Sequence, residues 1–89
     1  MREHDVTISN KLGLHARASA KLVQLLQGYK SNVWLRCRGR EVNAKSIMGV
    51  MMLAAGIGTP LTLRVDGPDE ETALKALVEL FERKFDEGQ

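Results

Sequence analysis

The stretch Asn32-Val33-Trp34-Leu35-Arg36-Cys37-Arg38 decides the fold, because small apolar side chains alternate along it with larger, mostly charged ones. Such alternation is typical of a half-buried β-strand. One face would carry Val33, Leu35 and Cys37, and the opposite face Trp34, Arg36 and Arg38. Gly39 then marks a turn, and Glu41–Asn43 returns as a short strand, which predicts a hairpin. An antiparallel sheet with one covered face and one face open to water tolerates this pattern.

Helices and further strands lie on both sides of this hairpin. The predicted elements are a strand over Arg2–Ile8, a helix over Ala16–Gln27, a short helix over Ser46–Ala54, a strand over Leu61–Val65 and a last helix from Asp69 to about Phe85. The inner stripe of the last helix is predicted to be Leu74, Leu77, Val78, Phe81 and Phe85. The order βαββαβα predicts an α+β fold in which the helices pack on one face of the sheet. The order of the strands within the sheet does not follow from these patterns.

The open sheet face leaves an RNA-binding module as one alternative, because a βαββαβ core also describes the RRM layout. That function requires aromatic side chains on two central strands, and only Trp34 is a candidate here. Arg36, Arg38 and Arg40 alternate along the hairpin, and we expect them to share a solvated face. The net charge of +2 is too small to indicate nucleic acid by itself, so we expect no nucleic-acid partner.

Length and composition predict one globular domain over residues 1–89. The chain is 44% hydrophobic and 27% charged, which suits a folded protein rather than a disordered one. Its single cysteine, Cys37, excludes an internal disulfide framework and a cysteine-based zinc site, and we expect neither a metal nor a cofactor. No apolar run reaches transmembrane length, and Met1–Asp5 is charged rather than a signal peptide. We therefore expect a cytoplasmic protein with no membrane partner.

A histidine immediately before the first helix is the strongest candidate for chemistry. The segment Gly13-Leu14-His15-Ala16-Arg17 places His15 beside the free backbone amides of a helix start, here those of Ala16 and Arg17. Such amides favour a phosphate, and the Arg17 guanidinium adds a fixed positive charge. The pattern predicts a residue that accepts a phosphoryl group and passes it on. The alternative is a histidine that only caps the helix or lies on the surface.

Two segments resemble motifs of HPr, the histidine-containing phosphocarrier family of the bacterial phosphotransferase system. Leu12-Gly-Leu-His-Ala-Arg-Ala-Ser19 is similar to the family's active-site motif, and Lys45-Ser-Ile-Met-Gly-Val-Met-Met-Leu53 to its regulatory serine motif. One departure is Ala18, where many members have proline. The resemblance covers essentially the whole chain. It implies an open-faced β-sandwich with a four-stranded antiparallel sheet in the order 1-4-2-3 and three helices on one face.

The resemblance also implies roles for particular residues. His15 matches the histidine that is phosphorylated at Nδ1, and Arg17 the arginine that stabilises the phosphate. Ser46 matches the serine that a dedicated kinase phosphorylates in many members. An exposed apolar patch for docking partners corresponds to Ile47, Met48 and Met51.

The implied function is that of a phosphocarrier in sugar uptake. Phosphoenolpyruvate-dependent Enzyme I would phosphorylate the chain, an EIIA-type protein would accept the group, and HPr kinase/phosphorylase would act on Ser46. The chain itself would be a carrier rather than an enzyme, and we expect a monomer. A phosphocarrier of a nitrogen-related regulatory branch without sugar transport is one alternative. A regulatory module that only binds partners is another.

The residues around Ser46 allow a purely structural interpretation as well. Serine is a preferred N-cap, so Ser46 could simply open the short helix. On that helix we expect Val50 and Leu53 to lie inside. The second apolar stripe, Ile47, Met48 and Met51, exceeds what a one-sided sheet can cover, and we expect it to be partly exposed.

Overall fold

The predicted hairpin forms in the structure, a computed structural model in which residues 1–87 are described. Its strands and helices are β1 (Arg2–Thr7), α1 (Ala16–Leu26), β2 (Asn32–Cys37), β3 (Arg40–Asn43), α2 (Ile47–Met52), β4 (Pro60–Asp66) and α3 (Glu70–Glu82). A short 3-10 turn, Lys84–Asp86, follows α3. The element types and their order are therefore those that the sequence predicts, with ends that shift by a few residues.

The four strands form one antiparallel sheet in the order β1-β4-β2-β3, which confirms the order that the resemblance implies. Leu35 on β2 lies opposite Val42 on β3 and Leu63 on β4, so the apolar positions of neighbouring strands share one face. The buried side chains of the two central strands are Val33, Leu35, Cys37, Leu61, Leu63 and Val65. The three helices cover this face. Within residues 1–87, none of the helices has the length and apolar character that a bilayer crossing requires.

Ion pairs occupy the open face of the sheet. Arg64 lies at their centre: its Nε is 3.0 Å from an oxygen of Glu3, and its Nη1 binds Glu41. The guanidinium is also 6.0 Å from the centre of the Trp34 ring, which is the range of a cation–π contact. Acidic side chains thus accompany the basic ones on this face.

Arg40 lies on the opposite face of the sheet from Arg36, so the prediction that the two share a face is wrong. Positive φ angles at Arg38 (51°) and Gly39 (79°) make a tight two-residue turn, so Arg40 pairs directly with Cys37 and shares its face. The Arg40 guanidinium accordingly lies on the helix side, where Nη1 is 3.4 Å from the carbonyl oxygen of Met52.

The last helix is shorter than predicted, and Phe85 lies outside it. α3 ends at Glu82, and Phe85 has a left-handed φ of 56° in the turn that follows. Its ring is nevertheless fully buried, with its centre 4.9 Å from that of Phe81 in an edge-to-face contact. The inner stripe of α3 is also rotated from the prediction: the buried residues are Ala73, Leu77, Leu80 and Phe81, and Leu74 and Val78 are half-buried.

Gly13 allows the loop before α1 to touch the loop before β4. It has a φ of 65°, and a Cβ atom built on it would lie 2.4 Å from the carbonyl oxygen of Ala55 and 2.7 Å from Cα of Gly56. The next residue, Leu14, donates its backbone N–H to that same Ala55 oxygen at 2.9 Å. Gly13 therefore permits a backbone contact that fixes the approach to α1.

We expect Gly13→Ala to destabilise the protein more than Gly39→Ala does. Both glycines have positive φ, and a left-handed conformation costs an L-residue roughly 1–2 kcal/mol. A Cβ at Gly39 meets nothing within 4 Å, whereas one at Gly13 collides with backbone atoms, so overpacking adds about 1–3 kcal/mol at Gly13 alone. Urea denaturation followed by circular dichroism measures both variants. Equal losses would show that the Gly13 contact is not tightly packed.

Candidate functional site

His15 is the N-cap residue of α1. Its backbone is extended (φ −74°, ψ −179°), and the first helical hydrogen bond runs from the N–H of Ser19 to the His15 carbonyl at 2.9 Å. The amides of Ala16, Arg17 and Ala18 precede that bond and have no acceptor within the helix. The His15 ring makes no capping bond and is 27% exposed. A nucleophilic side chain and free amides therefore meet at one helix end.

The backbone immediately before His15 is fixed from two sides. The Leu14 N–H donates to Ala55, as described above, and the Leu14 carbonyl accepts a hydrogen bond from Oγ of buried Ser19 at 3.1 Å. The Leu14 side chain is itself buried in the core. These contacts explain why His15 has a defined place at the rim of the molecule although it follows a loop.

Glu87 lies against the His15 ring and was not predicted. One of its carboxylate oxygens, Oε2, pairs with Nε2 of His15. The other, Oε1, accepts a hydrogen bond from Nδ2 of buried Asn10 at 3.2 Å. The same Asn10 nitrogen donates to the carbonyl of Gly13 at 2.8 Å. The carboxylate is thus tied both to the histidine and to the loop before it.

The turn after α3 brings Glu87 to this position. Lys21 on α1 donates from Nζ to the carbonyl of Phe85 at 3.0 Å, and Nζ also lies 3.9 Å from the carboxylate of Asp86. Buried Phe85 anchors the turn in the core. The end of the described chain is therefore held beside the start of α1.

The pKa of the Glu87 carboxyl lies below its ordinary value. Partial burial acts to raise this pKa, but the hydrogen bonds with His15 and Asn10 and the attraction of the His15 and Lys21 charges together lower it by more. Glu87 is therefore ionised at neutral pH. Because the folded pKa is depressed, the carboxylate stabilises the fold above the unfolded value of about 4.3. This contribution is lost as the pH falls through the folded value.

Arg17 is exposed beside His15. Both residues line an open depression of about 540 Å³, together with Leu12, Ala16 and Glu87. The Arg17 guanidinium joins none of the ion pairs formed within residues 1–87. A cation, a histidine and free amides therefore border one concave surface that an anionic group can enter. In the described part of the chain, no cluster of three His, Cys, Asp or Glu residues could hold a metal ion.

Ser46 is the N-cap of α2, as the structural interpretation of the sequence predicts. Its Oγ accepts a hydrogen bond from the N–H of Gly49 at 3.1 Å. Val50 and Leu53 are buried, and Ile47, Met48 and Met51 are 42%, 69% and 38% exposed, so both expectations about this helix are confirmed.

The exposed apolar surface is larger than predicted. Met52 is 59% exposed. Leu12, from the loop before α1, and Ile57, from the loop between α2 and β4, are 67% and 60% exposed. Leu12 lines the His15 depression, so apolar side chains extend to its border. Met52 could have been found from its position four residues after Met48, on the same side of the helix.

Comparison with known proteins gives consistent matches over nearly the whole chain. The family model described as "PTS HPr component phosphorylation site" matches residues 2–83. The phosphocarrier protein HPr of Xylella fastidiosa (strain Temecula1) is 62% identical over 87 residues, with 98% of each chain covered. The crystal structure of HPr-C-His from Thermoanaerobacter tengcongensis has a TM-score of 0.94 at 47% identity and covers 98% of both chains. An HPr dimer from the same organism has a TM-score of 0.76 at 47% identity, covering 96% of this chain and 98% of that one.

These matches define the class as the phosphocarrier proteins of the phosphotransferase system. The chain belongs to the HPr family. The fold that the resemblance implies, including its strand order and its three helices, is confirmed.

Proposed function

We propose that the chain carries a phosphoryl group on Nδ1 of His15, taken from an Enzyme I-type donor and passed to an EIIA-type acceptor in sugar uptake. The observation that carries the proposal is the position of His15 at the N-cap of α1, in one depression with Arg17. In this role the chain is a carrier and not an enzyme, because its partners supply and remove the group. It acts in the cytoplasm as a single domain over residues 1–89.

The proposed transfer of a phosphoryl group to His15 uses side chains and backbone amides that border the depression. The lone pair of Nδ1 forms the new phosphorus–nitrogen bond while the bond to the donor atom breaks and leaves its electron pair on the donor. Negative charge is then spread over the phosphoryl oxygens, so catalysis depends on positioning and electrostatic stabilisation. The backbone amides of Ala16 and Arg17 supply hydrogen-bond donors, and the Arg17 guanidinium supplies the charge.

The chemistry of the bound phosphate tests this proposal. The protein is incubated with an Enzyme I-type donor and labelled phosphoenolpyruvate, and the label is then challenged with acid and with alkali. We expect an acid-labile, alkali-stable phosphate that mass spectrometry locates on the peptide containing His15. An acid-stable phosphate, or one on another peptide, would contradict the assignment.

Ser46 is the proposed regulatory site, phosphorylated by an HPr kinase/phosphorylase. Its exposed neighbours Ile47, Met48 and Met51 are the proposed docking patch for the donor and acceptor. A phosphate on Ser46 would add negative charge at the edge of that patch, beside the helix start that Ser46 caps. Docking would weaken although the fold is kept.

We expect Ser46→Asp to raise the KM for the donor enzyme about two- to fivefold at low salt, which corresponds to the ~0.5–1 kcal/mol of an interaction between exposed charges. The kcat should change little, because the charge acts on encounter. The effect should shrink as salt is raised, since charges are screened over about 10 Å at 0.1 M. Steady-state kinetics at two salt concentrations measure both quantities.

Ser46→Asn is the matched control, because asparagine caps a helix without adding charge. Its KM should stay at the wild-type value. Met48→Asp should raise the KM with a component that salt does not remove, since apolar contact is lost as well. An unaltered KM for Ser46→Asp at low salt would leave Ser46 as a helix cap and nothing more.

The proposed carrier works as a monomer, since the exposed apolar side chains suit transient docking to two successive partners. The HPr dimer among the solved relatives makes the oligomeric state worth measuring. Light scattering at micromolar concentration should give the mass of one chain, and the mass of two chains would contradict this part of the proposal.

A further inference from the structure

The turn after α3 has a backbone that L-residues rarely adopt. Three successive residues, Lys84, Phe85 and Asp86, have left-handed φ values of 55°, 56° and 61°. Such strain persists only where the surroundings determine it. Here buried Phe85 and the hydrogen bond from Lys21 fix the turn, and Nε of Arg83 donates to Asp86 at 2.9 Å.

The result of this turn is the placement of Glu87. Its carboxylate is oriented by Asn10, which has no exposed surface and which also binds the Gly13 carbonyl. One oxygen is thereby held by the loop before α1 and the other meets Nε2 of His15. The Glu87 side chain is only 13% exposed, so water competes little for this contact.

We propose that Glu87 is a positioning residue for phosphoryl transfer, holding His15 in the tautomer that carries its proton on Nε2. An ionised carboxylate can only accept, so its partner nitrogen must be the protonated one. Nδ1 then keeps its lone pair for the incoming phosphorus. This inference rests on the proposed function and extends it to Glu87, which lies outside the active-site motif Leu12–Ser19.

Glu87 also balances the charge that the transfer creates. When Nδ1 gains a phosphoryl group and Nε2 keeps its proton, the ring becomes positively charged. A carboxylate paired with the protonated nitrogen stabilises that state, as an aspartate does for an imidazolium in hydrolytic triads. The other charged groups near the ring are Arg17, in the same depression, and Lys21, whose charge also attracts the Glu87 carboxylate. Of the Arg17, Lys21 and Glu87 side chains, only that of Glu87 is negatively charged.

Glu87→Gln tests the inference, because it removes the charge and keeps the size. At the pH optimum we expect kcat for phosphorylation of His15 to fall about tenfold with KM within twofold, as when an orienting partner of a functional histidine is lost. Glu82→Gln is the matched control: it makes the same substitution at an exposed glutamate at the end of α3, and its kcat should match that of the wild type.

A second measurement is independent of rate. Nitrogen-15 NMR of the neutral His15 ring should show Nε2 protonated in the wild type and a mixture of tautomers in Glu87→Gln. Wild-type kcat and wild-type ring signals in a folded Glu87→Gln variant would overturn the inference. If instead the wild type takes up no label from the donor, the proposed function itself fails, so the two failures are distinguishable.

Discussion

His15→Ala is expected to take up no phosphate from phosphoenolpyruvate and an Enzyme I-type donor under conditions that label the wild type fully. The chain has two histidines, and only His15 lies at a helix start beside free amides. The other, His4, lies within β1 and pairs with Leu63. Autoradiography of the separated proteins measures the loss.

His4→Ala is the control for this experiment. It should accept as much label as the wild type, because His4 takes no part in the depression around His15. Undiminished labelling of His15→Ala would exclude His15 as the acceptor. Melting temperatures of both variants show that any loss is chemical and not a failure to fold.

Arg17→Ala should slow phosphoryl transfer on the order of a hundredfold, the usual effect of removing one electrostatic donor from a transferring group. The fold should be retained, because Arg17 is exposed, forms no ion pair within residues 1–87, and alanine is the better helix former. Rapid-quench measurement of the single-turnover rate gives this effect directly.

Arg17→Lys should recover only part of the rate, since an ammonium lacks the planar fork of a guanidinium. Arg38→Ala is the control, because Arg38 is also an exposed arginine but lies in the turn between β2 and β3. Its rate should equal that of the wild type. A wild-type rate in Arg17→Ala would remove Arg17 from the site.

Most of the fold could be predicted because local patterns agree with the tertiary structure. The alternation over residues 32–38 identified β2 and its buried face, and the spacing within α2 separated buried Val50 and Leu53 from exposed Met48. The strand order could not be obtained in this way, since alternation says which face is buried and not which strands are neighbours. It came from the resemblance.

The features that could not be predicted depend on contacts between residues that are far apart in the sequence. Glu87 follows a charged helix end, where a glutamate is ordinarily solvated, and it meets His15 only because the chain turns back over α1. That turn is made of non-glycine residues in the left-handed conformation, which the sequence does not signal. Phe85 was therefore predicted to continue the inner stripe of the last helix. The predicted face of Arg40 was wrong for a similar reason, because the two-residue turn at Arg38 and Gly39 interrupts the alternation of side chains.

The ammonium group of Met1 lies at the far end of α3 from His15. It pairs with Glu70 at 3.1 Å and Asp66 at 3.3 Å, and the 13 residues of α3 span roughly 20 Å between that end and the turn that leads to Glu87. An affinity tag or surface linker joined ahead of Met1 would therefore leave the phosphoryl site open to partner proteins, at the expense of two exposed ion pairs. One joined after Gln89 would begin only two residues beyond Glu87, within reach of the His15 ring and of the proteins proposed to dock there.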